Sequence, residues 1–161
     1  MTRIISLIAA VAANGAIGFR GSIPWDSPAD RAIFARKTAG GVLVCGWNTA
    51  GEVCRAVDPD IRNRVLLGIS GGGIVRLIPA GGPKPPPYDL EPYSLESVAA
   101  EYPDRNIWIC GGSRLYAEAM RHPLVTEMHL TFLDCEPDAD AFFPSLRFYS
   151  GKLNGVDHTP H

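Results

Sequence analysis

Apolar residues in this chain gather into short runs that alternate with amphipathic stretches, and glycine or proline separates one from the next. The segments IISLIAAVA (4–12), VLVC (42–45) and IWIC (107–110) are apolar apart from Ser6, the pattern of strands buried on both faces. RNRVLLG (62–68) reads as a further strand with basic residues at its start, and IVRLIPA (74–80) as a short strand between two loops. EMHLTFLD (127–134) alternates instead, with His129, Thr131 and Leu133 on one face and Met128, Leu130 and Phe132 on the other. Helices are predicted from Pro28 to about Lys37, from Trp47-Asn48-Thr49 toward Val53, over 94–102 behind a Ser94 cap, and over 113–120. This alternation predicts a single α/β domain over residues 1–161. Its central sheet is mostly parallel, and ligands are expected at the carboxyl ends of the strands.

The segment IPWDSPADRAIF (23–34) carries the clearest chemistry. Ser27 suits a helix N-cap, Pro28 the first helical position, and Asp30 falls three residues after the cap. Helical spacing then sets Asp30, Ile33, Phe34 and Lys37 on one face. A carboxylate on an apolar stripe is either a capping group near the positive end of the helix or a group placed in an apolar pocket, and the two readings are compatible.

Glycine marks several connections. NGAIGFRGS (14–22) is a mobile-looking link whose Ile17 and Phe19, with Ile23 beyond, suggest a lid that closes on something. Ahead of it, the small residues Ala9, Ala10, Ala12 and Ala13 leave room for a flat ligand near the backbone. Gly46 followed by a helix start at Trp47 is a generic anion site. Gly71-Gly72-Gly73 lacks the lysine and hydroxyl of a phosphate loop and reads as a flexible connection, while Pro85 to Pro87 should be extended. Gly111-Gly112 allows close backbone approach at a strand end.

Composition narrows the function classes. The chain has 161 residues, a net charge of -2 and a pI near 6.1, with no basic run to track nucleic acid, so a small-molecule ligand is expected. Cys45, Cys54, Cys110 and Cys135 lie far apart without zinc-ligand spacing and read as buried thiols of a cytoplasmic protein, with no metal. The first residues imitate a short signal peptide, but the apolar run passes into the glycine link without a change of composition and is better taken as a strand. No stretch reaches the length of a membrane span.

Taken in order, SLIAAVAANGAIGFRG, IPWDSPADRAIF, GGVLVCGWNT, IWICGGSRLYAEAM and MHLTFLDCEPDADAFFP resemble the dihydrofolate reductase family, with the weakest likeness over 51–105. The resemblance implies reduction of 7,8-dihydrofolate by NADPH, with hydride transfer to pterin C6 and protonation at N5. It implies that Asp30 holds the pterin's amidine edge, with a water near Trp25 and the Thr131 hydroxyl in support. Ile8, Ile23, Phe34, Val53 and Cys110 would line the substrate cleft. Arg62 would hold the substrate's glutamate carboxylate, with Arg55 and Arg64 as competitors. For the cofactor it implies the backbones of Ala10 and Ile17, then Gly18, Gly46, Trp47, Asn48, Thr49, Gly111, Gly112, Arg114 and Tyr116. It also implies a cis peptide at the glycine pair, and Asp140 with the FFP at 142–144 bracing the lid.

Two departures stand out. Trp47 occupies the position of an arginine that grips the 2'-phosphate of NADPH, so that preference is expected to weaken or to fall to Arg114, with Arg76 as a second candidate. After Pro144 the chain is too short for the family's long final hairpin. RFYS (147–150) is expected as one short strand, with a turn at Asn154-Gly155, in a monomer whose trimmed sheet edge is open to self-association. Other readings are a same-fold reductase of another pterin or pyrimidine, or a non-catalytic nucleotide- or folate-binding module.

Overall fold

The longest strand of the sheet's buried middle is β1 (Ile5–Ala12), which pairs in parallel with a neighbour on each side. A computed structural model describes residues 3–57, 64–78, 91–144 and 152–159. In chain order β1 is followed by β2 (Ala16–Gly18), α1 (Pro28–Lys37), β3 (Val42–Gly46), α2 (Trp47–Val57), β4 (Val65–Ser70) and β5 (Gly73–Ile78). Then come β6 (Glu91–Pro92), α3 (Leu95–Glu101), β7 (Ile107–Ile109), α4 (Ser113–Arg121), β8 (Glu127–Leu133), β9 (Ala141–Phe142) and β10 (Lys152–Thr159). The main sheet runs β10-β8-β1-β7-β3-β4-β5-β6, and β2 with β9 forms a small second sheet. Only the β4-β5 and β5-β6 pairings of the main sheet are antiparallel.

Period-two geometry explains how continuous apolar runs serve two cores. Ile5, Leu7, Ala9 and Val11 join Val42, Val44, Ile107 and Ile109 in a cluster that α3 and α4 cover with Val98, Leu115 and Met120. The opposite face sends Ile8, Leu43, Cys45, Leu66 and Trp108 toward Ala50 and Val53 of α2, with Phe34 of α1 packed on them. Helices therefore cover both faces, and the parallel strands bring their carboxyl ends to one rim.

The structure corrects several boundaries. The strand expected to begin at Arg62 begins at Val65, and β5 is described from Gly73 to Ile78, the expected end at Ala80 lying outside the described residues. The triple glycine is a tight hairpin, not a flexible link: Gly71 and Gly72 take φ of 56° and 80°, the positive pair of a type I′ turn. Asn154-Gly155 does not turn. Both residues lie within β10, which runs parallel to β8 at the sheet edge. Residues 147–150 and 85–87 fall outside the described set, as does Arg62. Cys45 and Cys110 are buried as expected, but Cys135 is only half-buried.

One glycine sets the spacing of β3 against β7. A Cβ on Gly41 would lie 2.8 Å from Cδ1 of Trp108 and 3.1 Å from the Asn106 carbonyl oxygen. Trp108 is buried and cannot swing aside. Gly41→Ala should therefore lower the unfolding free energy by about 1–3 kcal/mol. Urea titration of the two proteins checks this, with an unchanged midpoint as the contrary result.

Candidate active site

α1 is placed by its cap: Ser27 Oγ accepts a hydrogen bond from the Asp30 N–H at 3.1 Å, and Pro28 opens the first turn. Yet no residue of α1 is fully buried. Its apolar stripe borders a cleft as well as the core: Phe34 packs on the buried cluster beneath, and Asp30, Ile33 and Phe34 line the cleft with Ile8, Ile23 and Val53. Capping thus falls to Ser27, and the Asp30 side chain is left facing the cleft. Burial raises the pKa of this carboxyl from its ordinary value, while a hydrogen bond from the Trp25 side chain and the charge of Arg31 pull it partly back.

The cleft measures about 210 Å³. Its floor is the carboxyl end of β1, where Ala10 pairs with Thr131 of β8, and both residues reach the cleft. Cys110, Gly111 and Tyr116 form the side toward α4. The Tyr116 hydroxyl donates to the Ile8 carbonyl at 2.8 Å, which fixes the ring, and burial pushes its pKa well up. Gly111 has φ of 115°, and a Cβ there would sit 3.2 Å from the Tyr116 oxygen, so the close packing requires glycine. The Gly111-Gly112 peptide is cis.

The expected lid is an ordered hairpin instead of a loose link. β2 pairs with β9, and the strand turns at Arg20 and Gly21, whose φ values of 50° and 79° again make a type I′ pair closed by Phe19 and Ser22. Asp140 braces it from both sides: its carboxylate accepts from the Arg20 N–H at 2.9 Å, and its own N–H donates to the Gly18 carbonyl at 3.0 Å. Ile17, Gly18, Phe19 and Ile23 form the cleft's outer wall.

A larger groove of about 950 Å³ adjoins the cleft, and Asn48, Thr49, Gly112 and Ser113 line both. Gly46, Trp47 and Arg114 line the groove alone. The amino termini of α2 and α4 open into it, and Gly112 brings no side chain to cap the N–H groups of α4. Free helix N–H groups, two hydroxyls and Arg114 suit a diphosphate.

A family model described as dihydrofolate reductase matches residues 4–66. The chain is 33% identical over 146 residues to dihydrofolate reductase type 3 of Salmonella typhimurium, an alignment covering 88% of this chain and 78% of that protein. The chain belongs to the dihydrofolate reductase family. It is also 29% identical over 147 residues to the dihydrofolate reductase of Buchnera aphidicola, covering 90% of this chain and 81% of the relative. Against dihydrofolate reductase type A13 of Escherichia coli the identity is 30% over 145 residues, covering 88% and 78%.

The family's dinucleotide fits the residues present: the shared rim offers Thr49, Ser113 and the uncapped start of α4, and glycines at 46 and 112 keep the wall low. Of the arginines considered for the substrate carboxylate, Arg64 is buried and donates to Thr38 Oγ1 at 3.3 Å and to the Ala35 carbonyl, tying the end of α1 to β4. Ser113, whose Oγ donates to the Phe142 carbonyl at 3.3 Å, joins lid to groove and is absent from the sequence-based site; its place after Gly111-Gly112 at a helix start was the signal. Tyr93, Glu96, Glu118 and His122 of the groove gave no such signal, since they come from separate elements.

The raised pKa of Asp30 has a stability consequence. The folded chain holds this proton more tightly than the unfolded chain, where the value is near 3.8, so stability falls as pH rises from there through the folded pKa. Asp30→Asn removes that penalty and keeps an acceptor for Trp25. The ligand-free variant should melt above the parent at pH 7, with the gap closing toward pH 3.8. Thermal melts across pH check it; a lower melting temperature at pH 7 contradicts the assignment.

Proposed function

We infer that this chain reduces 7,8-dihydrofolate to 5,6,7,8-tetrahydrofolate with NADPH. The observation that carries the reading is Asp30, a cleft carboxyl with a raised pKa, with the Trp25 side chain as its hydrogen-bonding partner. Family membership and the joined cleft and groove support it. When bound, NADPH supplies the hydride that reaches pterin C6, and a proton taken up at N5 balances the product.

The roles proposed for the chain's residues follow from their chemistry. Asp30 hydrogen-bonds the amidine edge of the pterin and favours the protonated substrate, as a carboxylate in low-polarity surroundings does for a developing cation. Trp25 orients that carboxylate and stands beside the water that delivers the proton. Thr131, on the cleft floor, supplies a hydroxyl to the same edge. Ile8, Ile23, Phe34 and Val53 exclude water from the flat ring and the benzoyl group, and Cys110 packs beside them. A raised thiol pKa, caused by burial, keeps Cys110 neutral and unreactive. Ala10 and Ile17 would hold the nicotinamide carboxamide through their backbones, with Gly18 and Tyr116 also lining that part of the cleft. Gly46, Trp47, Asn48, Thr49, Gly111, Gly112 and Arg114 hold the rest of the dinucleotide.

We propose that the chain works as a monomer. No described helix is long and apolar enough to cross a membrane. We propose a cytoplasmic location, which the dispersed cysteines of the sequence suit.

Following NADPH oxidation with and without dihydrofolate tests the reading. Oxidation should require dihydrofolate, and Asp30→Asn should lower turnover at pH 7 by roughly 10²–10⁴ while cofactor affinity changes little. Since the proposed role favours a protonated substrate, kcat/KM of the parent should decline as pH rises past the Asp30 pKa. Undiminished turnover in the variant at pH 7 would remove Asp30 from the mechanism.

A further inference from the structure

The groove is chemically uneven. Where it meets the cleft it offers Thr49, Ser113 and the first turn of α4, with Arg114 next in sequence. Its remaining walls include Trp47, Ile69 and Tyr93, together with Glu96 and Glu118. Among the described lining residues, Arg114 is the single arginine or lysine against two carboxylates. The other basic group, His122, has Nε2 3.1 Å from Glu96 Oε1. Both carboxylates face this part of the groove: beyond the effect of burial, their charges help push the Tyr93 phenol up to about 12.

A phosphate monoester is a dianion, and proteins grip it with arginine forks or lysine. Beside Glu96 and Glu118 it would meet like charge. A ribose with both hydroxyls free has the opposite requirement, since a carboxylate accepts from a diol. Trp47 and Tyr93 can add stacking area for a purine, which does not depend on what the ribose carries.

We propose that the outer part of this groove reads the adenosine end of the cofactor as an unphosphorylated ribose, so that the chain uses NADH on a par with NADPH. Trp47, Tyr93, Glu96 and Glu118 are the specificity determinants. The inference rests on the reductase reading and concerns only which nicotinamide dinucleotide that site prefers.

Two measurements test it on the full chain: steady-state kinetics with each dinucleotide and saturating dihydrofolate, and titration of intrinsic tryptophan fluorescence with each dinucleotide alone. The expected ratio of kcat/KM for NADPH over NADH is within about tenfold of one. Trp47→Arg and, separately, Tyr93→Lys should each raise that ratio by about tenfold or more, read in KM for NADPH and in the NADPH affinity from the fluorescence titration. Using two variants guards against one that folds poorly. A parent ratio above roughly 100, or variants that leave the ratio unmoved while still binding NADPH, would overturn the inference and leave the reductase reading standing. If neither dinucleotide changes the fluorescence and neither is oxidised, the reductase reading itself falls, and this inference with it.

Discussion

A carboxylate drawn out of water among hydrocarbon side chains is the constraint to which this structure answers. Asp30 loses hydration to the walls formed by Ile8, Ile23, Ile33 and Phe34, and its pKa rises as a result. Removing a charge from solvent costs stability unless partners replace the water. Here the replacement is partial: the Trp25 side chain and the charge of Arg31. Capping does not require this placement, because Ser27 Oγ already accepts from the Asp30 N–H at 3.1 Å. The same constraint explains why α1 has no fully buried residue. The helix meets the core through Phe34 and Ala35, which pack on the cluster beneath, while Asp30 and Ile33 line the cleft.

The sheet order makes such an opening possible without weakening the core. β1 has strand neighbours on both sides and helices over both faces, so Leu7 is fully buried and the strand is rigid. Rigidity reaches to the last turn before the rim, where alanines replace leucine and isoleucine and the backbone becomes approachable. The lid then needs its own support, because it leaves β1 just where the sheet ends. It finds that support in residues 135–143: the Ala13 N–H donates to the Cys135 carbonyl at 2.9 Å, the Phe143 N–H to the Gly15 carbonyl at 2.9 Å, and Asp140 bridges the turn.

Legibility in the sequence followed the range of the interactions concerned. The buried strands β1, β3 and β7 and the capped helices α1 and α3 are written in local patterns, and they were readable to within a residue or two. Asp30 was readable as a choice between cap and pocket, but the choice depended on where α1 docks, which no local rule contains. The hairpin at Gly71-Gly72 looked like a loose connection because its flanking strands do not alternate; β4 is buried in a parallel pair on its other side. The link at 14–22 looked mobile because its partner, β9, lies more than a hundred residues away, and Asp140 could be connected with it only through a family likeness. Arg64 appeared to be a ligand candidate, while its real partners, Thr38 and Ala35, belong to the helix packed beside it. The outer groove was the least readable part, since Tyr93, Glu96, Glu118 and His122 are brought together only when α3 and α4 settle on the same face of the sheet.

The junction of cleft and groove shows why the rim between them carries so little side-chain bulk. Transfer between two flat rings requires the reacting atoms to approach to about 3–3.5 Å, so the walls that hold them must not intrude. The shared lining is Asn48, Thr49, Gly112 and Ser113, all small or short. A Cβ on Gly112 would already lie 3.5 Å from Thr49 Oγ1, and one on Gly111 would press on Tyr116. The strands beneath are tied tightly at this level: the Gly46 N–H donates to the Gly111 carbonyl and the Cys110 N–H to the Val44 carbonyl, each at 2.8 Å. Backbone pairing, not side-chain volume, therefore sets the height of the rim. The outer walls of cleft and groove lie beyond these backbone ties, and there the groove presents larger side chains, Trp47 and Tyr93 among them.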